Sequence, residues 1–154
     1  MKGMISMPIA PWPVTAQGQS NHPVQSLQCL LRFRGHPVTV DGDFGARTAD
    51  AVRAFQRQKG LTVDGSAGPQ TWPALVTEVR EGSTGDAVRA AQESLAFRGG
   101  EGNPVIDGDF GAKTLSAVRA FQQQLRDFDD RNFPVDGIVG PLTWRALISG
   151  MHTD

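Results

Sequence analysis

Asp41-Gly-Asp-Phe-Gly-Ala-Arg-Thr-Ala-Asp-Ala-Val-Arg-Ala-Phe-Gln56 returns at residues 107–122 as Asp-Gly-Asp-Phe-Gly-Ala-Lys-Thr-Leu-Ser-Ala-Val-Arg-Ala-Phe-Gln, identical at 13 of 16 positions. One unit has been used twice, and such self-similarity decides the architecture before any other feature. The identity spreads outward. Val24, Gln28, Leu31, Phe33, Arg34 and Gly35 recur as Val88, Gln92, Leu95, Phe97, Arg98 and Gly99. Downstream, Asp64-Gly65, Gly68-Pro69 and Thr71-Trp72 recur as Asp136-Gly137, Gly140-Pro141 and Thr143-Trp144.

A smaller echo lies inside each unit: a β-branched residue, Asp-Gly, two residues, Gly, two residues, Thr. It starts at Val40, Val63, Ile106 and Val135. Gly after Asp supplies the positive φ of a tight turn, and the second Gly, followed by Pro69 or Pro141 in two copies, stands where a helix begins. Each copy reads as a buried anchor, a turn and a helix start, with Asp41, Asp64, Asp107 and Asp136 as turn acceptors and Gln56 and Gln122 bonding to backbone.

Apolar side chains at Val24, Leu27, Leu30 and Leu31 mark one face of a first helix over residues 23–34, ended by Gly35. A second helix runs from Ala46 to Lys59, with Ala51, Val52 and Phe55 inward and Gly60 as its stop. A third starts at Pro69 and buries Trp72, Leu75 and Val76, but Pro73 removes a backbone donor, so this helix is expected to be short or distorted. The twin helices fall at Asp86–Arg98, Ala112–Arg126 and Pro141–Ser149. The fold class is all-α, two tandem three-helix modules with short Asp-Gly turn loops. Their extents are 12–77 and 78–149, with tails at 1–11 and 150–154. Glu81–Gly85 reads as a connector. Two residues are inserted before Asp107, around residues 99–102, and six before Asp136, within residues 126–133; both map to surface loops.

Modules of 65 to 70 residues lie near the lower limit for a stable core, which favours docking of one on the other. Net charge is −1, against a dedicated nucleic-acid binder or a polybasic membrane patch. No run approaches the ~20 apolar residues of a membrane span. The stretch Met4–Ala10 is short and broken by Pro8, so no signal peptide is assigned. Cys29 is the single cysteine; its repeat partner is Glu93, which places it near the surface.

The pattern is poor in catalytic chemistry. His22, His36 and His152 fall in no metal or nucleophile motif. Asp41/Asp43 and Asp107/Asp109 open like a calcium loop, but Val52 and Val118 stand where a liganding Glu is needed. No cofactor, metal site or catalytic residue is assigned.

The order Leu-Gln-x-x-Leu, Asp-Gly-x-Phe-Gly-x-x-Thr-x-x-Ala-Val-x-x-Phe-Gln, Asp-Gly-x-x-Gly-x-x-Thr-Trp-x-x-Leu closely resembles the three-helix peptidoglycan-binding module found in bacterial cell-wall hydrolases. Leu27-Gln28, Leu31, Asp41–Gln56 and Asp64–Leu75 carry it in the first unit. In the second, Gln92, Leu95, Asp107–Gln122 and Asp136–Leu147 do, with Ala91 where the family usually has Leu. The resemblance implies non-catalytic binding of cell-wall peptidoglycan, glycan strand or stem peptide, outside the cell or at the wall. The chain would act alone, as a targeting part, or as an adaptor for a wall hydrolase.

Phe44, Phe55, Trp72, Phe110, Phe121 and Trp144 stand at core spacings and are assigned to the core. Candidate ligand contacts are polar groups repeated in both units. Arg53 and Arg119 offer planar forks to stem-peptide carboxylates, although Asp50 stands three residues from Arg53 as an internal partner. Arg47 and Lys113, with Asp43 and Asp109, flank the Asp-Gly-x-Phe-Gly loop. The aromatics left for a glycan are Trp12, Phe128 and Phe133. The rival reading keeps the fold but makes it a protein-interaction module of an envelope assembly, because fold alone does not fix function.

Overall fold

A computed structural model describes residues 9–99, 105–129 and 133–150. Its helices are α1 (Val24–Phe33), α2 (Ala46–Lys59), α3 (Thr71–Leu75), α4 (Asp86–Arg98), α5 (Ala112–Asp129) and α6 (Pro141–Ser149). Among the described residues β pairing is confined to isolated bridges. No described helix is long and apolar enough to cross a membrane.

The periodic faces go inward as the spacing requires. Val24, Leu27, Leu30 and Leu31 of α1 are fully buried, as are Val52 and Phe55 of α2. The six signature aromatics are all buried, so they form the core and leave no ring face for a ligand. Helix α2 stops at Gly60, whose φ of 69° is the left-handed cap that glycine adopts without a Cβ penalty. Helix α3 has 5 residues where α6 has 9. Pro73 has no N–H for the carbonyl four residues back, and the chain turns extended at Val76. Helix α5 continues to Asp129, so the first residues of the six-residue insertion lengthen a helix where a loop was expected. Residues 130–132, and all but Gly99 of the other insertion, lie outside the described residues.

A buried glutamine holds each Asp-Gly turn. Gln28 Nε2 lies 3.0 Å from Asp41 Oδ1, 3.1 Å from the Asp43 carbonyl and 3.1 Å from Thr48 Oγ1. Its Oε1 accepts from the backbone N–H of Asp41 and Gly42. One side chain thereby ties α1 to the turn and to the first turn of α2. The same lock recurs at Gln56 with Asp64, Gly65 and Thr71. Gln92 repeats it with Asp107, Gly108 and Thr114. Gln122 does so with Asp136, Gly137 and Thr143. The four turn glycines have φ of 77°, 79°, 80° and 76°. The signature therefore encodes a polar clamp that spends every hydrogen-bonding group of a buried amide.

Glu81–Gly85 is more than a connector. Phe110 N–H donates to the Ser83 carbonyl, Gly82 N–H donates to the Phe110 carbonyl, and Gly85 N–H donates to the Gly108 carbonyl. Val79 pairs with Val139 above them, just as Thr15 pairs with Ala67 in the first module, where Gly18 and Gln19 bracket Phe44. An extended strap thus precedes the first helix of each module and covers both its turns. Ile9 and Ala10, placed in the tail by sequence, are pinned as well. Ile9 is buried, Ala10 donates to the Gly150 carbonyl, and Arg145 Nη2 donates to the Ile9 carbonyl.

The modules dock mainly through α1 on α4. Ser26 Oγ donates to the Ala90 carbonyl at 2.9 Å and lies 2.7 Å from Ser94 Oγ. His22 bonds Ser94 and stacks on Phe97 with ring centroids 4.2 Å apart. Arg32 reaches Asp86, and Trp144 Nε1 donates to the Thr77 carbonyl. Cys29 lies in this seam, fully buried rather than near the surface. Its repeat partner Glu93 is only half-buried, and its charge acts on the thiol. Burial, then the charges of Glu93 and Asp86, push the Cys29 thiol up to about 12.

These contacts fix the acid response. Burial, then Arg98, lower His22 to about 3. The unfolded chain, with His near 6.5, takes up that proton first, so stability falls as pH drops from about 6.5 towards 3. Backbone N–H groups and the clamp amides lower Asp41, Asp64 and Asp107. Their contribution is complete above the unfolded value of about 3.9 and is lost as pH falls through the lowered folded values. Helicity-monitored urea unfolding should therefore weaken in two stages, and His22→Asn should flatten the upper stage while leaving the lower one. An unchanged upper stage would contradict the assignment to His22.

Candidate functional site

The first Asp-Gly turn of each module borders a shallow polar depression. In the first module, about 370 Å³ is enclosed by Val38, Asp41, Asp43, Gly45, Arg47 and Thr48 among its walls. In the second, about 340 Å³ is enclosed by Val105, Asp107, Asp109, Gly111, Lys113 and Thr114. The clamp creates both. With Thr48 and Asp41 turned inward to Gln28, the next residues out, Asp43 and Arg47, are left exposed on the rim. Asp109 and Lys113 take the same places. Each depression thus sets two carboxylates, one of them engaged by the clamp, and one cation beside the N-terminus of a helix, where backbone N–H groups favour anions.

Arg53 and Arg119 line neither depression. They lie over the second Asp-Gly turn. A Cβ on Gly65 would come within 3.1 Å of the Arg53 guanidinium, and one on Gly137 within 3.3 Å of Arg119 Nε. Arg53 is tied to Asp50 at 3.0 Å. Ser116 replaces that aspartate in the second module, and among the described residues Arg119 has no ion pair. The six candidates therefore form two kinds of place, four at the depressions and two over the later turns.

Of the aromatics left for a glycan, Phe133 is buried and withdrawn, and the Phe128 side chain lies outside the described residues. Trp12 is half-buried and stacks on Trp72 at 6.2 Å and 11°. It lines a third concavity, about 570 Å³, between α3, α6 and the segment joining the modules. The repeat pattern missed this groove, since its walls come from both modules and from Trp12, which has no twin. Trp12, an aromatic outside the repeated core pattern, was the one signal for it.

The model of the family described as "Putative peptidoglycan binding domain" matches residues 20–75 and 84–147. The zinc D-Ala-D-Ala carboxypeptidase of Streptomyces albus G is 42% identical over 140 residues, 88% of this chain and 54% of that protein. The N-acetylmuramoyl-L-alanine amidase CwlM of Mycobacterium tuberculosis is 32% identical over 149 residues, 87% of this chain and 33% of its own. The crystal structure of the SleB N-terminal domain aligns with 41% of this chain and 88% of that one at 42% identity, TM-score 0.40. The chain spans between a third and about half of the two curated relatives.

Proposed function

Since this chain belongs to the peptidoglycan-binding domain family in both its halves, we propose that it holds bacterial cell-wall peptidoglycan without altering it chemically. It works outside the cell or at the wall, alone or as the targeting part of a wall hydrolase. The modules are taken as residues 12–77 and 78–149, each with its strap. The observation that carries the reading is that the two depressions repeat the same rim, Asp43 with Arg47 and Asp109 with Lys113, on a frame clamped by the same buried amide.

Stem-peptide carboxylates suit Arg47 and Lys113, backed by the helix starts, while Asp43 and Asp109 accept from amides or hydroxyls. Arg119, with no ion pair among the described residues, adds a further fork; Arg53 is less available because Asp50 holds it. A non-catalytic role fits the carboxylates at hand. Asp41 and Asp107 are lowered by the N–H groups they accept, which leaves them ionised and engaged at neutral pH rather than ready to deliver a proton. Two weak sites on one rigid body gain avidity when a polymer offers both of them repeats.

The protein is expected to sediment with purified insoluble sacculi. Charge-assisted hydrogen bonds contribute about 1.5–3 kcal/mol each. The Arg47→Ala/Lys113→Ala double variant, with helicity intact, should therefore bind at least about tenfold more weakly. Arg53→Ala/Arg119→Ala should bind less weakly than that. A wild-type protein that stays in the supernatant across several wall types sinks the proposal and turns attention to a protein partner. Equal sedimentation of both variants leaves the function standing and moves the site.

A further inference from the structure

The groove between the modules differs in kind from the two depressions. Its walls are Trp12, Pro73, Val76 and Leu142, with Glu78 and Arg145 as its charged groups, in a volume of about 570 Å³. That is within the roughly 300–1,000 Å³ of small-ligand clefts, at the junction of two modules where such clefts concentrate. Leu142 is 44% exposed there, an unusual place for a leucine with nothing over it. Arg145 Nη2 donates to the Ile9 carbonyl, but its Nε is buried and finds no acceptor among the described residues. A buried guanidinium N–H without a partner is costly, and Arg145 is the cation among the groove's lining residues.

Three features select the occupant. The half-buried indole of Trp12, steadied by Trp72 behind it, offers a flat apolar face of the kind on which the C–H face of a sugar ring packs. Arg145 brings a guanidinium to the groove that suits a carbonyl or carboxylate oxygen, and Glu78, whose Oε2 is paired with Arg80, keeps its second oxygen to accept from hydroxyls. The local backbone, in contrast, is already committed. The Val76 carbonyl accepts from Arg34, the Thr77 carbonyl from Trp144, and both groups of Val79 pair with Val139. An extended peptide laid there would give up backbone hydrogen bonds to water and find few in return.

We propose that the groove formed by both modules around Trp12 and Arg145 is a glycan subsite. It takes an acidic N-acetylated sugar segment of the wall polymer, with a ring on Trp12 and an acetamido or lactyl oxygen on Arg145. The proposal rests on the wall-binding reading and divides the labour, glycan to the groove and stem peptide to the depressions.

The test uses the full chain and soluble glycan strands of alternating N-acetylglucosamine and N-acetylmuramic acid, stripped of stem peptide. Insoluble sacculi are assayed beside them. Trp72 and Trp144 are fully buried, so a blue shift of tryptophan emission on adding strands is expected to come from Trp12 and to vanish in Trp12→Phe. Leu142→Arg, at an exposed position that folding tolerates, should block the groove and weaken strand binding at least tenfold. The neutral N-acetylglucosamine tetramer, without the lactyl carboxylate, should bind more weakly than the strands in wild type. That difference should shrink in Arg145→Gln. If wild type sediments with sacculi but ignores the strands, or if Leu142→Arg binds them as tightly as wild type, the groove proposal is overturned and wall binding survives. Displacement of bound strands by free stem peptide also overturns it. If wild type fails to sediment with sacculi, the wall-binding reading falls and takes this proposal with it.

Discussion

Gln92→Leu should lower the stability of the whole protein by about 3–5 kcal/mol, read as a lower urea midpoint of helicity. The side chain is fully buried and meets five partners: Asp107 Oδ1, the Asp109 carbonyl, Thr114 Oγ1, and the N–H groups of Asp107 and Gly108. Leucine has similar volume, so the change tests the polar clamp rather than a cavity. It strands two backbone donors at a turn that water reaches poorly on the Gly108 side, and an unsatisfied buried donor costs about 1–3 kcal/mol. It also cuts the tie between α4 and the first turn of α5. The neighbouring Gln123→Leu removes only an exposed bond to Asp127 one helical turn on, and should stay within about 0.5 kcal/mol. A Gln92→Leu loss as small as that of Gln123→Leu would show that the clamp is dispensable.

The second large effect is expected at the seam. Ser26→Leu forces three carbons into a space closed by the Ala90 carbonyl and Ser94, and removes the hydroxyl that bonds both of them. Overpacking costs about 1–3 kcal/mol and the lost hydrogen bonds add about 1 kcal/mol, the Ala90 carbonyl keeping its helical donor and Ser94 its bond to His22, so the modules should separate before either unfolds. Cys29 reports the event. Sealed in the seam with its thiol pushed up to about 12, it should resist a thiol reagent in the native protein and react readily in Ser26→Leu at a denaturant concentration that leaves helicity intact. Ser26→Ala, which removes the bond without adding volume, should cost about 1 kcal/mol and keep Cys29 sealed. Continued protection of Cys29 in Ser26→Leu would mean that docking does not depend on this contact.

The two predictions differ in how much of them could be read in advance. The clamp was half legible: the turn aspartates and the backbone bonding of Gln56 and Gln122 could be read from the fourfold Asp-Gly pattern, whereas Gln28 and Gln92 could not, because each glutamine stands 15 to 22 positions before its threonine. The α2 boundaries and the shortness of α3 were legible, since Gly60 and Pro73 act on the chain within one turn. The depressions were half legible. Asp43 and Arg47 stand out from sequence, but that Arg53 falls elsewhere follows from helix phase, six residues on and about 240° around α2. The repeat alone had grouped all three.

Sequence by itself determined the duplicated unit, its all-α character, its core aromatics and its turn chemistry, because those depend on short-range spacing that duplication makes visible. Only the tertiary structure decided that Cys29 is buried and Phe133 too, that the apparent connector is a strap, and that Trp12 and Arg145 meet in a groove. Each of these depends on what one module lays against the other or on how an unrepeated segment crosses them. The docking seam sets Ser26 on Ala90, its own repeat partner, but the side chains differ at those positions, so internal symmetry, the strongest signal in this chain, does not announce it.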